Sequence, residues 1–531
     1  MAQAVSPPMR ARVALALLVL GALTTVLLAL PYRSFDLDRF LAPKELAMEV
    51  AAAAALLALV ARRGARVAPA ETAMLVVLAA TAVGAVLATN GPLAARAATM
   101  TLASFTCFVV AREVARAGMG RGLVVCLAAV TVIGAMTALV QAYGVEFELA
   151  SMSRAPGGTF GNRNFMAHLA AAGIPLLLIG AVRARHLTSA TLHALGVAIN
   201  AAALVLSRTR AAWLALALFV ALVAVASVRS GAVFRTARTL KRLILLAVAA
   251  VGGVVGALYL PNSLDWKSDN PYLDSMRGVV NYKDGSGGGR LKQYANSAKL
   301  FLGSPVVGVG AGNWPVRYPG VAPRNDPSLD RSSGMTSNPW PSSDWVAMLS
   351  ERGVLAFVGW AGLMIMLFST GMARWWDVDG ALDARLDALA LAGLVTVVAA
   401  EGAFDAVLLL PMTGATFWAA AGALYASGDE SEPSAPSTMR PALIIAATLL
   451  LIGGAALSLG RVRAMALYTR GTTTALEQAV AFDPGGYRVR MRLASLYASQ
   501  GRCPQVRIHA GRAAELFPLA GAPKALLARC R

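Results

Sequence analysis

The chain has 531 residues, 57% of them hydrophobic and 14% charged, and its 48 Lys and Arg against 28 Asp and Glu leave a formal charge of +20. Average soluble domains are about one quarter charged, so these proportions exclude a soluble globular enzyme and a disordered chain. The basic excess is read first as membrane topology and not as a nucleic-acid footprint, because Lys and Arg collect in short cytoplasmic loops.

A helix that crosses a hydrocarbon core of ~30 Å needs about 20 apolar residues. Thirteen candidate runs follow one another, at 13–30, 46–60, 70–88, 94–110, 123–143, 165–182, 187–206, 211–228, 243–260, 354–370, 386–409, 413–426 and 441–459. The predicted fold is therefore an all-α polytopic membrane protein with about 12–13 spans. Its expected organisation is helices one to nine over 1–260, a large outer loop over 261–343, helices ten to thirteen over 344–460, and a small helical tail over 461–531. The first run is too long for a cleaved signal peptide and lacks a small-x-small site before Pro31, so it reads as a retained span.

Basic clusters set the orientation. Arg62, Arg63 and Arg66, then Arg112, Arg116 and Arg121, then Arg183 and Arg185, then Arg229, Arg235, Arg238, Lys241 and Arg242 fall on one side, which the positive-inside rule makes cytoplasmic. The amino terminus is then inside and the tail outside. The segment 428–438 is an acidic, Pro/Ser-rich connector.

In the tail, Ala475, Ala479, Asp483, Pro484, Leu493, Ala494, Tyr497 and Gly501 have the spacing of a helical-hairpin repeat and resemble about one and a half tetratricopeptide units. One repeat cannot bury its own face, so the tail is expected to dock on the outer loop or on a partner. Cys107 and Cys126 lie in spans as small apolar residues. Cys503 and Cys530 lie in the outer tail, where an oxidising compartment permits a disulfide.

Three polar clusters gather at the outer boundary. Gly157 to Asn164 (GGTFGNRN), with Asn162, Arg163 and Asn164 opening an apolar helix, reads either as an anion-favouring helix amino terminus or as a Gly-rich turn with an Asn cap. Arg208 and Arg210, in SRTR, oppose the positive-inside trend; they read as a diphosphate clamp, since guanidinium matches phosphate oxygens, or as headgroup snorkelling. The third cluster, with Arg290 after GGG and then SPVVGVGAGNW, is no nucleotide loop, because no Lys-Ser or Lys-Thr pair follows.

Taken in order, GGTFGNRNFMAHL, SRTRAAWLAL, GGGRLKQYANSAKLFLGSPVVGVGAGNW and SSDWVAMLSERGVLAFVGW resemble the O-antigen ligase family, with its relatives the lipid-linked oligosaccharide polymerases and O-oligosaccharyltransferases. The resemblance runs from about Phe35 to Trp418, including DRFLAPKEL and DAVLLLPMTGATFW. It implies a glycosyltransferase of the bacterial inner membrane with a periplasmic active site and tail. Such an enzyme moves a glycan from an undecaprenyl-diphosphate carrier to a hydroxyl of a glycan or lipid acceptor such as lipid A-core, without cofactor, metal or ATP. It also implies contact with other envelope polysaccharide-assembly proteins through the tail, and no nucleic acid.

Carried over by motif, the functional cations are Arg210 and Arg290, with Arg208 secondary and Lys44 within reach of the diphosphate. Ligase-type relatives carry a histidine where this chain has Ser342. His168, one turn after Asn164, either substitutes for it or is a buried hydrogen-bonded histidine. Asp344 and Glu351 are the nearest acidic candidates for a base, Glu351 alternatively pairing with Arg352. Glu401 and Asp405 are expected to pair with buried arginines. A transporter is the competing class, but no internal repeat is found and the polar clusters collect on one face, not at mid-membrane. A non-catalytic scaffold would leave Arg210 and Arg290 dispensable.

Overall fold

The computed structural model describes residues 8–59, 69–151, 155–229, 236–280, 283, 285–331, 333–426 and 440–530. Arg62, Arg63, Arg66, Arg235 and the connector 428–438 lie outside the described residues. Among the described residues the chain is helical without strands, apart from one isolated bridge between Leu329 and Thr336.

The bundle is formed by α1 (Met9–Leu27), α2 (Asp38–Leu59), α3 (Pro69–Val86), α4 (Gly91–Val114), α5 (Gly120–Ala142), α6 (Arg163–Arg183), α7 (Leu187–Ser207), α8 (Arg210–Arg229) and α9 (Ala237–Tyr259). The loop that follows carries α10 (Pro271–Val280) and α11 (Gly285–Gly303). The bundle then resumes with α12 (Asp344–Trp376), α13 (Leu382–Gly402), α14 (Pro411–Ala426) and α15 (Pro441–Arg470), the last containing a π-turn at Leu449–Ala455.

Nine helical segments among the described residues are long and apolar enough to cross a membrane. One of them, Gly91–Ala142, is α4 and α5 joined through a kink at Gly118, so the nine account for ten of the expected runs. The remaining three expected runs are also helices. α2 and α13 carry buried charges, and α14 has only 16 residues. α6, α13 and α14 form the centre of the bundle, with Leu169, Leu389, Val397 and Phe417 fully buried, whereas α8 and α9 bury a narrow face and leave Val220, Val248 and Val251 exposed to the lipid side.

The long loop does not float above the bundle. α12 is interrupted at Gly353, where φ is 75° and ψ is −177°, and the interruption frees backbone groups on both sides. The loop supplies their partners: Val309 N–H donates to Ser350 C=O at 3.0 Å, Gly310 N–H to Glu351 C=O at 2.9 Å, and Val354 N–H to Pro305 C=O at 2.8 Å. The carbonyls of Ser350 and Glu351 and the N–H of Val354 thus exchange helical bonds for loop bonds, as buried backbone requires. Glu351 completes the joint, its carboxylate accepting the Gly312 N–H at 2.9 Å and the Trp314 N–H at 3.3 Å.

The tail adds α16 (Thr473–Phe482), α17 (Tyr487–Ser499), α18 (Cys503–Leu516) and α19 (Gly521–Ala528), each packed on the next. Its small core of Leu476, Val489, Leu493 and Val506 continues into Phe35 and Ala42 of the bundle and Met465 of α15. Phe35 meets Tyr468 edge-on at 4.7 Å, and Asn90 Nδ2 donates to the Leu516 carbonyl at 3.1 Å. Asn90 is also locked to Asn313 of the long loop by two bonds, at 2.7 and 3.1 Å. Tail and long loop therefore share one end of the bundle, and Cys503 and Cys530 are disulfide-bonded.

Candidate functional site

The site is built by the connections that precede α6 and α8 and follow α13, and by the two loop helices α10 and α11. α7 ends at Ser207 and α8 begins at Arg210, so a two-residue turn joins them. Arg208 takes the left-handed conformation at φ 56°, and Trp213 Nε1 donates back to the Leu204 carbonyl at 3.1 Å to close the turn. A non-glycine residue held there costs on the order of 1–3 kcal/mol and marks a position worth explaining. The turn thrusts Arg208 and Arg210 out at the loop end. Beside it, Asn162 caps α6 by accepting the Asn164 N–H at 3.0 Å, which leaves Arg163 and Asn164 on the first turn facing the same space.

A cavity of about 820 Å³ lies between these connections and the long loop. Arg163, Arg208, Arg210 and Arg290 all line it, against Asp274 and Asp405, a surplus of two positive charges. Arg208 Nε donates to Ser275 Oγ at 2.8 Å, and its guanidinium lies 4.6 Å from the Trp266 ring centre, with Arg163 at 5.1 Å from the same ring. Burial lowers the Arg208 guanidinium below its ordinary value, opposed by Tyr272 and Asp274. Arg210 is fixed by the Gly278 carbonyl at 2.6 Å and by Ser286 Oγ. Arg290 differs: its Nε is buried without a hydrogen-bond partner, and its Nη2 stands 3.6 Å from Asp405.

The neighbours of Arg290 on α11 hold the opposite wall. Gln293 Oε1 accepts the Ser342 N–H at 2.6 Å, and Tyr294 Oη donates toward both the Ser342 carbonyl, at 2.7 Å, and the Ala403 carbonyl, at 2.9 Å. Ser342 itself lines the cavity.

Beneath the floor, His168 is fully buried between two carboxylates, with Nδ1 at 3.0 Å from Glu401 and Nε2 at 3.5 Å from Asp405. Asp405 also accepts from Asn164 Nδ2 at 3.0 Å, and Asn164 Oδ1 accepts from Thr209 Oγ1 at 3.2 Å. Glu401, His168 and Asp405 thus form a chain that ends in the cavity at Asp405. The expectation that Glu401 and Asp405 pair with buried arginines is corrected: Glu401 pairs with histidine, and only Asp405 meets an arginine, Arg290. The signal available in the sequence was the pair of ionisable residues one turn apart in an apolar run, which marks a functional position by its cost.

Other expected site residues are elsewhere. Lys44 is fully buried and does not line the arginine cavity; its Nζ donates to the Val26 carbonyl at 3.1 Å, at the end of α1, and it lies over the Phe160 ring. Asp344 accepts the Val407 and Leu408 N–H groups at 3.0 and 2.9 Å and so fixes the turn that follows Asp405. Glu351 is occupied by the Gly312 and Trp314 amides and is not paired to Arg352. Both carboxylates lie outside the arginine cavity because backbone amides of the long loop and of the 403–410 turn claim them. Asn162 is a helix cap and not a lining group. No group of His, Cys, Asp and Glu among the described residues has the arrangement of a metal site.

No curated protein matches this chain. Residues 195–361, the stretch that carries Arg208, Arg210 and Arg290 and runs into the interrupted helix α12, match the family model described as O-Antigen ligase, which supports a glycosyltransferase of the O-antigen ligase and polymerase type.

Proposed function

We propose that the chain transfers a glycan from an undecaprenyl-diphosphate carrier to an acceptor hydroxyl, in the cavity beneath the long loop and on the periplasmic face of a bacterial inner membrane. The observation that carries this reading is the convergence of Arg163, Arg208, Arg210 and Arg290 on one cavity that also holds Asp405. Displacement at the anomeric carbon needs two things: charge balance for the departing diphosphate and a group that takes the acceptor's proton. Guanidinium donors meet the first requirement, because they are preorganised where negative charge develops. Arg290 is the cation best disposed for it, since its Nε has no protein partner to give up.

Asp405 meets the second requirement. The acceptor oxygen bonds to the anomeric carbon, the bond from that carbon to the diphosphate oxygen breaks with its electron pair leaving on the diphosphate, and the hydroxyl proton passes to Asp405. His168 and Glu401 orient Asp405 from behind. In this reading the carboxylate replaces the histidine that ligase-type relatives carry at the position of Ser342. The anionic donor offsets the excess of arginines in the cavity, and basic residues such as Arg112, Arg116 and Arg183 at the opposite end of the bundle support a cytoplasmic position for that end.

Ligase, polymerase and protein O-oligosaccharyltransferase activities share these requirements. Electrophoresis of surface and carrier-linked glycans from a deletion strain, complemented with the wild type or Arg290→Ala, separates them. Long polymer accumulating on the carrier while the lipid acceptor stays bare identifies a ligase. Single repeat units in place of long chains identify a polymerase, and normal surface polymer with unglycosylated envelope proteins identifies a protein transferase. Unchanged glycan pools in the deletion strain would overturn the transferase reading and bring the transporter forward.

A further inference from the structure

A second, smaller cavity of about 110 Å³ lies behind the wall of the first, bordered by α4, α12 and α14. The two share their partition: Ser342 and Asp405 face the arginine cavity, while Pro339, Trp340, Leu408 and Leu409 of the same two segments face the smaller one. Its other walls combine Met100, Phe105, Trp360 and Trp418 with the charged side chains of Glu45, Arg96, Glu351 and Arg352. Of these charges, Arg352 is the one held by neither an ion pair nor backbone groups.

The carboxylates along this cavity are already engaged. Glu45 bridges Arg96 and Arg461, each at 2.8 Å, and Glu351 is held by the Gly312 and Trp314 amides. Arg352 is left over. It is 2% exposed, its Nη2 donates to Thr101 Oγ1 at 3.2 Å, its Nη1 approaches the Met348 thioether at 3.4 Å, and its Nε has no partner. Among the described residues no carboxylate oxygen lies within 4.0 Å of its guanidinium.

A hydroxyl and a thioether are weak, neutral neighbours for a cation taken out of water, and Glu351 and Asp344 offset its charge only from beyond ion-pair distance. The interruption at Gly353 relieves part of the cost, because Arg352 sits at the carboxyl end of the first half of α12, where the helix dipole favours a cation. Arg352 and Thr101 together line a cavity of about 110 Å³, which has room for a few waters or one small polar group.

We propose that this cavity is a second anion site, in which Arg352 and Thr101 bind the phosphate of a net-anionic membrane lipid, whose headgroup carries no compensating cation, and the aromatic wall receives the apolar part next to it. The volume suits one phosphate-sized group and not a sugar chain. The inference stands on Arg352 and its cavity alone and does not depend on the transfer reading. Free phosphate shares the chemistry, and the experiment separates the two sources.

The full chain, purified in a neutral detergent, is titrated with phosphatidylglycerol, phosphatidylcholine or inorganic phosphate while its thermal unfolding is followed. The expected result is a saturable rise in Tm with phosphatidylglycerol and none with phosphatidylcholine. The rise persists in Arg290→Ala, which lies in the other cavity, and is abolished in Arg352→Gln. Arg352→Lys keeps the charge and weakens apparent affinity about tenfold, which serves if the glutamine variant does not fold. An equal rise with inorganic phosphate supports the anion site and assigns it to the free ion. No saturable rise in the wild type with either anion, or an undiminished rise in Arg352→Gln, overturns the site.

Discussion

Arg290 and Asp405 stand 3.6 Å apart on the cavity floor, too far for a hydrogen bond and close enough for each to hold the other's charge. A phosphate oxygen entering between them would take Arg290 and release Asp405 toward the acceptor. Asp405→Asn keeps the shape and an acceptor oxygen for Asn164 but removes the base. In proteoliposomes it should lower transfer by roughly 10²–10⁴-fold with donor binding preserved, and transfer within twofold of the wild type would remove Asp405 from the mechanism. Arg290→Ala should lose about 10²–10³-fold, with Arg290→Lys recovering only part because a point charge lacks the bidentate fork. Asp344 gives the contrasting outcome. Its two oxygens hold the Val407 and Leu408 amides, so Asp344→Ala leaves buried donors unsatisfied at about 1–3 kcal/mol each. The expected result is a fall in Tm, read by thermal unfolding in detergent, larger than that of either cavity variant. The arginines were legible in the sequence because cations stand out at the ends of apolar spans. The partnership of His168 with Glu401 was not, since the two are 233 positions apart and nothing local in either helix names the other.

The interrupted α12 explains why the loop motif SPVVGVGAGNW is rich in glycine. A Cβ on Gly308 would stand 2.2 Å from the Glu351 carbonyl carbon, and one on Gly353 2.1 Å from the Val306 carbonyl oxygen. Both residues also have positive φ, 67° and 75°. Gly308→Ala and Gly353→Ala should each destabilise by more than about 1 kcal/mol and lower the yield of folded protein measured by size-exclusion chromatography. Gly303→Ala, at the end of α11 with nothing within 4 Å of the added Cβ, is the matched control and should behave as the wild type. If all three variants gave the wild-type yield, the loop would not be seated in the break. All thirteen apolar runs overlap helices, since length and hydropathy are properties of a segment by itself. The break at Gly353, immediately before the tenth run, was not visible in that way. A single Gly353 is ordinary in a membrane helix, and only the loop residues that replace its hydrogen bonds give it meaning.

At the scale of the whole molecule, the tail and the long loop are clamped together through Asn90, which donates to Leu516 and exchanges bonds with Asn313. The tail packs on the bundle at Phe35, Ala42 and Met465, and Asn90 joins it in turn to the long loop through polar groups that hydrophobic spacing in the tail does not reveal. Because Asn313 adjoins Trp314, whose N–H is held by Glu351, tail position and loop seating are mechanically linked. The disulfide Cys503–Cys530 closes a segment with a sequence separation of 27, and a cross-link of that span is worth about 3–4 kcal/mol in the chain-entropy picture. Replacing both cysteines by serine should therefore make the tail the first part of the protein to be cut in limited proteolysis, with the membrane bundle left intact. A cleavage pattern identical to the wild type would show that docking on Phe35, Tyr468 and Asn90 suffices. The same contact fixes a topological expectation, because two segments bonded to the same residue must lie on one side of the membrane. An alkaline phosphatase reporter, which folds only in an oxidising compartment, should be active when fused after Cys530 and when inserted between Asp265 and Asp269, and inactive at Arg185. Activity at Arg185 with none at the other two positions would invert the orientation and move the arginine cavity to the cytoplasmic face.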